Sequence, residues 1–236
     1  MLAMVQVRRL GQILLDLLYP SRCVGCGQGG SLYCEACQAL LCYLVPPICP
    51  ACGLPVERPG VCRRCRKHPL RIDGIRSVAV YEGPLREAIH CYKYAYMRDL
   101  APVLGDLLVA LWHAAPVPVD VIVPVPLHRR RLRERGYNQS ALLAIHLGRK
   151  VELPVLCDVL QRNRYTMSQV DLGWRERREN VADAFSCVDR RLAGKHVLLV
   201  DDVCTTGSTL DACSVALRSG GARSVHAFTV ARAHFG

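Results

Sequence analysis

The chain has 236 residues, which is enough for one large domain or for a domain of about 150–170 residues with a small companion. Its 31 Lys and Arg residues outnumber 20 Asp and Glu residues. The resulting formal charge of +11 favours a polyanionic partner such as nucleic acid, an anionic membrane or a phosphorylated small molecule. The composition, 51% hydrophobic and 22% charged, excludes a disordered or fibrous protein.

Residues 1–18 are predicted to form an amphipathic helix. Gln12 and Asp16 interrupt its apolar run and no small-residue cleavage site follows, so the segment does not resemble an export signal. No stretch of the sequence approaches the roughly 18 apolar residues that a spanning helix needs. We expect a cytoplasmic protein whose first helix packs on its own chain, with a membrane-surface anchor as the alternative. The apolar residues at helical spacing are Leu10, Ile13, Leu14, Leu17 and Leu18.

Residues 19–68 contain a repeated cysteine pattern. Nine of the 14 cysteines lie between residues 23 and 65, and eight of these form two copies of a C-x2-C pair followed by a second C-x2-C pair. In each copy, the four thiolates can close a tetrahedral zinc site with no open position, which indicates a structural rather than a catalytic metal. The pattern therefore predicts a double zinc ribbon. The sequential ligand sets are Cys23, Cys26, Cys34 and Cys37, and then Cys49, Cys52, Cys62 and Cys65.

The energetics of this segment favour zinc over disulfides. Residues 19–66 hold too few large apolar side chains for an independent core, and so short a segment needs a cross-link such as a metal ion or disulfides to fold. A structural zinc ion supplies about 10–16 kcal/mol of apparent free energy, whereas a reducing cytoplasm disfavours disulfides. Interleaved ligand sets and a single occupied site stay open as alternatives. The basic run from Arg58 to Arg76 either contacts nucleic acid or forms a solvated face beside the thiolates.

Residues 69–236 are predicted to form an α/β domain. Apolar runs alternate with helical patterns, which implies a mostly parallel sheet with helices on both faces. Ligands of such sheets bind outside the carboxyl ends of the strands. The predicted strands are 74–81, 120–126, 153–156, 195–200 and 224–231, and the predicted helices are 84–94, 99–112, 138–150 and 208–219.

The stretch VLLVDDVCTTGSTLDAC, residues 197–213, carries the strongest chemical signal. A buried strand delivers Asp201 and Asp202, and a hydroxyl-rich loop with Gly207 then opens a helix. Backbone N–H groups, hydroxyls and the positive helix end suit a phosphate, and the two carboxylates can bind vicinal hydroxyls of a ribose. The loop is neither a Walker loop nor a GxGxxG turn. The alternative is a capped helix that happens to follow two acids.

This stretch resembles the phosphoribosyl pyrophosphate (PRPP) motif of type I phosphoribosyltransferases. The whole chain resembles the ComF/GntX family through LLYPSRC, YEGPLREAIHCYKY, PVPLHRRRLRERGYNQS and the series Gln169, Arg175, Asn180 and Phe185. The resemblance implies a type I phosphoribosyltransferase fold behind the zinc ribbon. It also implies a PRPP-binding factor in DNA uptake during natural transformation, with single-stranded DNA and other DNA-uptake proteins as partners and a homodimer left open. An active transferase on an unidentified acceptor, with no DNA role, and a scaffold with a vestigial loop are the alternatives.

The resemblance implies roles for individual residues. Asp201 and Asp202 bind the ribose hydroxyls, and Mg²⁺ accompanies PRPP. Thr205 stands where purine-using relatives commonly carry a carboxylate, which counts against a purine acceptor. The implied PRPP loop comprises Asp201, Asp202, Val203, Cys204, Thr205, Thr206, Gly207, Ser208 and Thr209, with Cys204 interpreted as packing. The implied pyrophosphate loop is Pro126, Leu127, His128, Arg129 and Arg131, and the loop Arg162–Phe185 closes over PRPP with Gln169, Arg175 and the catalytic candidate Arg178. Lys93 and Arg98 are weaker candidates, and Asn138 is either part of the site or a helix cap.

Overall fold

The computed structural model describes residues 21–164, 184–187 and 189–233. The helix predicted over residues 1–18 lies outside these ranges. The helices are α1 (Glu35–Ala39), α2 (Arg63–Lys67), α3 (Gly83–Tyr94), α4 (Leu100–Ala114), α5 (Arg129–Arg135), α6 (Gln139–Val151) and α7 (Ser208–Ser219), with a 3-10 helix at Arg190–Leu192. The strands are β1 (Gly74–Val80), β2 (Val121–Pro124), β3 (Leu160–Arg162), β4 (Phe185–Cys187), β5 (His196–Cys204) and β6 (Ser224–Arg232).

The main sheet has the strand order β1-β6-β5-β2, and every neighbouring pair is parallel. β3 and β4 form a separate antiparallel pair. The short strand predicted over residues 153–156 is reduced to a single bridge between Ile122 and Val155 at the β2 edge. The prediction of a mostly parallel α/β sheet is confirmed. Because β2 and β5 are parallel neighbours, their carboxyl ends lie at the same edge of the sheet.

A hydrophobic cluster lies on each face of the sheet, and the strands contribute residues to both clusters. Along β5, Leu198 and Val200 join the cluster that contains α3, α4 and α6, whereas Val197 and Leu199 join the cluster that contains α7. Successive strand residues point to opposite faces, so a strand buried on both faces has a continuous apolar run. This is why the strand could be predicted from residues 195–200.

The ends of two strands differ from the prediction. β5 continues past Val200, because its ladder with β6 extends from Asp201 opposite Thr229 to Cys204 opposite Arg232. The two acids therefore belong to the strand and are held by its hydrogen bonds. β2 ends at Pro124, earlier than predicted, because proline has no N–H to donate. The arginine-rich run after it, which the sequence pattern did not assign, is helix α5.

The cysteine-rich segment packs against the α/β body. The first C-x2-C turn lies against α3, where a Cβ on Gly25 would be 2.9 Å from Pro84 Cβ. Tyr43 bridges antiparallel to Ala79, so the linker between the ribbons extends the sheet beyond β1. The cysteine outside the two ligand sets, Cys42, has no partner in the sequence pattern, which predicts a small buried apolar residue. This prediction is wrong, because Cys42 lies at this edge and is exposed. The second ribbon contacts β1 as well.

Candidate functional site

The cysteines form two compact clusters in their sequential order. In each cluster, the ligand atoms all lie within 4.8 Å of one another. The sulfur atoms of Cys23 and Cys37 are 3.6 Å apart, and those of Cys52 and Cys62 are 3.8 Å apart. Zinc–sulfur bonds of about 2.3 Å give a tetrahedron with edges of about 3.8 Å, so both clusters fit structural zinc. The interleaved alternative is wrong. The first cluster is Cys23, Cys26, Cys34 and Cys37, and the second cluster is Cys49, Cys52, Cys62 and Cys65.

One thiol in each cluster is disposed to lose its proton. Burial raises the pKa of Cys23, but backbone hydrogen bonds, above all at Cys34, outweigh it and lower the pKa to about 6. A hydrogen bond with Cys65 is the main cause that lowers the pKa of Cys52 to about 5, and the charge of Arg232 adds to it. Zinc binds thiolates, so these shifts suit metal ligation near neutral pH.

The hydroxyl-rich loop joins β5 to α7 as a tight cradle. Thr206 and Ser208 lie within hydrogen-bond distance, with 2.8 Å between Oγ1 and Oγ, and the Ser208 N–H donates to Thr206 Oγ1 over 3.2 Å. Gly207 has φ +84, and a Cβ there would lie 3.1 Å from Ile75 Cδ1. Gly207 is also the N-cap of α7 and has no side chain to cap the first N–H groups. Hydroxyls, N–H groups and the helix dipole therefore converge where an anion can bind.

The two acids lie at the carboxyl end of β5, directly before this loop. Asp201 Oδ1 accepts a hydrogen bond of 2.7 Å from Ser140 Oγ at the start of α6. Asp202 is buried and its Oδ2 is 2.9 Å from Lys93 Nζ at the end of α3. Lys93 is therefore part of the site through a buried ion pair, and Ser140 is a site residue that the sequence pattern did not indicate.

The charges of this group depend on one another. Burial, followed by repulsion from Asp202, raises the pKa of Asp201 to about 7. Burial disfavours the ammonium of Lys93, but attraction to Asp202 outweighs it and raises the pKa. Lys93 therefore carries its charge at neutral pH, while Asp201 is close to its titration point. A bound cation, or a hydroxyl donor, would favour the ionised form of Asp201.

The predicted pyrophosphate residues lie in two different cavities. His128 and Arg129 line a cavity of about 360 Å³ together with Pro126, Leu127 and the β3 strand. Arg131 instead lines a cavity of about 320 Å³ beside Lys93. The two arginines are separated because neighbouring positions on a helix differ by about 100° in direction, so positions two apart point about 200° apart.

The second cavity, lined by Arg131, has an aromatic and basic wall. Tyr94 and Tyr96 are 62% and 65% exposed. The guanidinium of Arg135 lies 5.3 Å from the Tyr94 ring centre, and Tyr96 donates a hydrogen bond of 3.1 Å to the Glu134 carbonyl. Flat rings bind to such surfaces by stacking, and phosphates bind to the guanidinium groups. This wall begins next to the Lys93–Asp202 pair.

Comparisons with known proteins agree with this geometry. Residues 14–66 match the double zinc ribbon domain, and residues 138–235 match the phosphoribosyl transferase domain. DNA utilization protein YhgH of Escherichia coli strain K12 is 35% identical over 191 residues, covering 78% of this chain and 84% of that protein. Competence protein F of Haemophilus influenzae is 32% identical over 227 residues, covering 90% of this chain and 97% of that protein. The chain belongs to the ComF/GntX family. Competence protein ComFC of Bacillus subtilis is 31% identical over 207 residues, covering 84% of this chain and 83% of that protein.

Membership of the ComF/GntX family settles the architecture. The chain has a type I phosphoribosyltransferase fold with an N-terminal double zinc ribbon, as the resemblance implied. Among the helices in the described ranges, none combines the length and the apolar character needed to cross a bilayer.

The closing loop expected of this family falls largely outside the described residues. Gln169, Arg175 and Arg178 all lie in the segment 165–183, about which the structure gives no description. The two ends of the predicted loop are strands rather than loop, because Arg162 in β3 pairs with Phe185 in β4. Of these two strands, β3 lines the cavity that contains His128 and Arg129.

Two further residues have structural roles in the ComF/GntX chain. Asn138 Oδ1 accepts hydrogen bonds from the N–H groups of Ser140 and Ala141, and its Nδ2 donates to the Val125 carbonyl over 3.0 Å. Asn138 is thus the cap of α6, and it fixes the loop after β2. Cys204 is 2% exposed, in agreement with its interpretation as packing.

Proposed function

We propose that this ComF/GntX chain binds PRPP with Mg²⁺ and acts as a PRPP-dependent factor in the handling of DNA taken up by the cell. The observation that carries the proposal is the continuity of Asp201, Asp202 and the hydroxyl-rich loop at one strand end. The loop offers donors to a 5-phosphate, and the carboxylates offer acceptors to the two ribose hydroxyls that follow it.

Different residues of the site contact different parts of PRPP. Thr206, Ser208 and the first N–H groups of α7 hold the 5-phosphate, with Thr205 and Thr209 at the rim. Lys93 orients Asp202 through their ion pair, and Ser140 orients Asp201. Mg²⁺, if bound with PRPP beside the Asp201 and Asp202 carboxylates, would supply positive charge that offsets the charge of the pyrophosphate. His128 and Arg129 lie beside β3, where the segment with Gln169, Arg175 and Arg178 begins, and this neighbourhood favours the pyrophosphate there.

A role in DNA uptake is supported by the relatives and by surface chemistry. The relatives are named as competence and DNA utilization proteins. The wall formed by Tyr94, Tyr96, Arg131 and Arg135 combines rings with guanidinium groups, as single-strand binding surfaces do. The two cysteine clusters suit zinc rather than disulfides, which supports a reducing compartment such as the cytoplasm. Other DNA-uptake proteins would then be the natural partners.

Transferase activity on an unidentified acceptor is the second candidate function. The aromatic cavity adjoins Lys93, whose partner Asp202 would hold the ribose, so an acceptor ring bound there would lie near the reacting sugar carbon. In such a reaction the chain orients both reactants and stabilises the charge that develops on the pyrophosphate. Release of pyrophosphate from PRPP separates this candidate from simple ligand binding.

Calorimetric titration of PRPP with Mg²⁺ tests the proposal. Wild type should bind, Asp202→Asn should lose binding by at least about tenfold, and Asp158→Asn should bind like wild type. Asp158 is a suitable control because its side chain is 70% exposed and pairs with Arg191. Absence of binding to wild type would refute the proposal. Unfolding temperatures of all three proteins distinguish a lost contact from a lost fold.

A further inference from the structure

The second zinc ribbon is in direct contact with the phosphate-loop region. Arg64 lies on α2 between the cluster residues Cys62 and Cys65, and its Nη2 donates a hydrogen bond to the Thr206 carbonyl. The chain that leaves the ribbon also holds α7, because the N–H groups of Arg71 and Ile72 donate to Asp211 Oδ1. The loop is thus fixed at its centre and on its helix by residues next to the second cluster.

Arg232 adds a buried positive charge between the same two regions. It lies at the end of β6, is 1% exposed, and its Nη1 contacts Cys204 Sγ at the start of the loop. Its Nε and Nη2 have no hydrogen-bond partner in the part of the chain that the structure describes. A buried guanidinium is costly unless negative charge offsets it. Its charge acts on Cys52 and Cys204, and four thiolates around one zinc ion carry net negative charge.

The first cluster has different neighbours. Gly25 of its first turn packs on Pro84, at the start of α3, and its residues Cys23 and Cys37 belong to the core cluster formed by α3 and α4. Loss of metal from the first cluster would therefore disturb α3, whereas loss from the second cluster would act on the loop itself.

We propose that the second cluster is a positioning element of the phosphate loop. Metal at this cluster would fix α2, so that Arg64 orients the Thr206 peptide. The loop N–H groups then face the 5-phosphate of a sugar phosphate. Loss of metal from the second cluster therefore weakens phosphate binding more than loss of metal from the first. This inference rests on the proposed function, since it assumes that the loop binds a sugar phosphate.

Titration of ribose 5-phosphate, a probe that lacks the pyrophosphate, tests the role of Arg64. Arg64→Ala should weaken binding by about tenfold, the effect of losing one hydrogen bond from a charged donor. Arg66→Ala is the matched control, because it removes the same charge from an exposed position on the same helix. Equal affinities of the two variants, with wild type binding, would overturn the inference and leave the proposed function intact. Absence of binding to wild type would remove both.

A second comparison separates the two clusters. Cys26→Ser and Cys62→Ser each remove a ligand from one cluster, and elemental analysis should show that each variant loses about one zinc ion per chain. Cys62→Ser should weaken ribose 5-phosphate binding more than Cys26→Ser does, because Arg64 of the second ribbon contacts the loop itself. Equal weakening by both variants would overturn the inference, because it would reflect general loss of structure. If Cys62→Ser does not fold, the Arg64 and Arg66 pair decides.

Discussion

The ion pair between Lys93 and Asp202 provides a quantitative test of the site. Its side chains are 18% and 4% exposed, and 2.9 Å separates Nζ from Oδ2. Lys93→Met retains the length of the side chain but removes its charge, which leaves a buried carboxylate without its cation. Breaking a buried pair in this way costs about 3–5 kcal/mol, and the partial access of Lys93 to solvent favours the lower limit. A loss of about 3 kcal/mol corresponds to a fall in the unfolding temperature of about 6–12 °C for a chain of this size.

Urea unfolding of wild type, Lys93→Met, Asp202→Asn and the double variant measures this pair. The double variant should recover much of the free energy of unfolding that Lys93→Met loses, because it no longer buries an unpaired charge. A loss below about 1 kcal/mol, without recovery in the double variant, would show an ordinary solvated pair and refute the reasoning.

Three further predictions concern pH, metal and DNA. The pKa of Asp201 is raised to about 7 in the folded state, so between the ordinary pKa of an aspartate and pH 7 folding is accompanied by uptake of a proton. The free energy of unfolding of wild type should therefore rise relative to that of Asp201→Asn as the pH falls from 7 to 5. The opposite trend in urea unfolding would contradict this direction. Protein purified without chelator should contain about two zinc ions per chain by elemental analysis, and zero would contradict the ribbon assignment. Fluorescence anisotropy with labelled single-stranded DNA should show binding that weakens steeply as the salt concentration rises. The affinity should fall about fivefold or more in Tyr94→Ala and should not change in the control Tyr43→Ala. An affinity for DNA that does not change with salt would show that the basic surface does not contribute to binding.

Features that depend on local spacing could be predicted from the sequence. Each cysteine cluster follows from cysteines close together in the chain, and the hydroxyl-rich turn before α7 follows from the residues around Gly207. The sheet was predictable because its strands are buried on both faces and are therefore continuously apolar. Asn138 was recognisable as a helix cap for the same local reason.

Features that depend on tertiary contact were not predictable. Lys93 meets Asp202, and Arg64 meets Thr206, only because distant elements pack together. The end of β5 was predicted too early, because charged side chains look like a loop although the β6 ladder continues beside them. Arg129 and Arg131 were grouped because they are adjacent in sequence, whereas the turn of a helix sends them to different cavities.

A crystal structure of the chain with PRPP and Mg²⁺ tests the central claim most directly. Density for the 5-phosphate is expected within hydrogen-bond distance of the loop 205–209, with the ribose against Asp201 and Asp202. A saturated crystal with no density in this loop, or with PRPP bound only at the aromatic cavity, would contradict it.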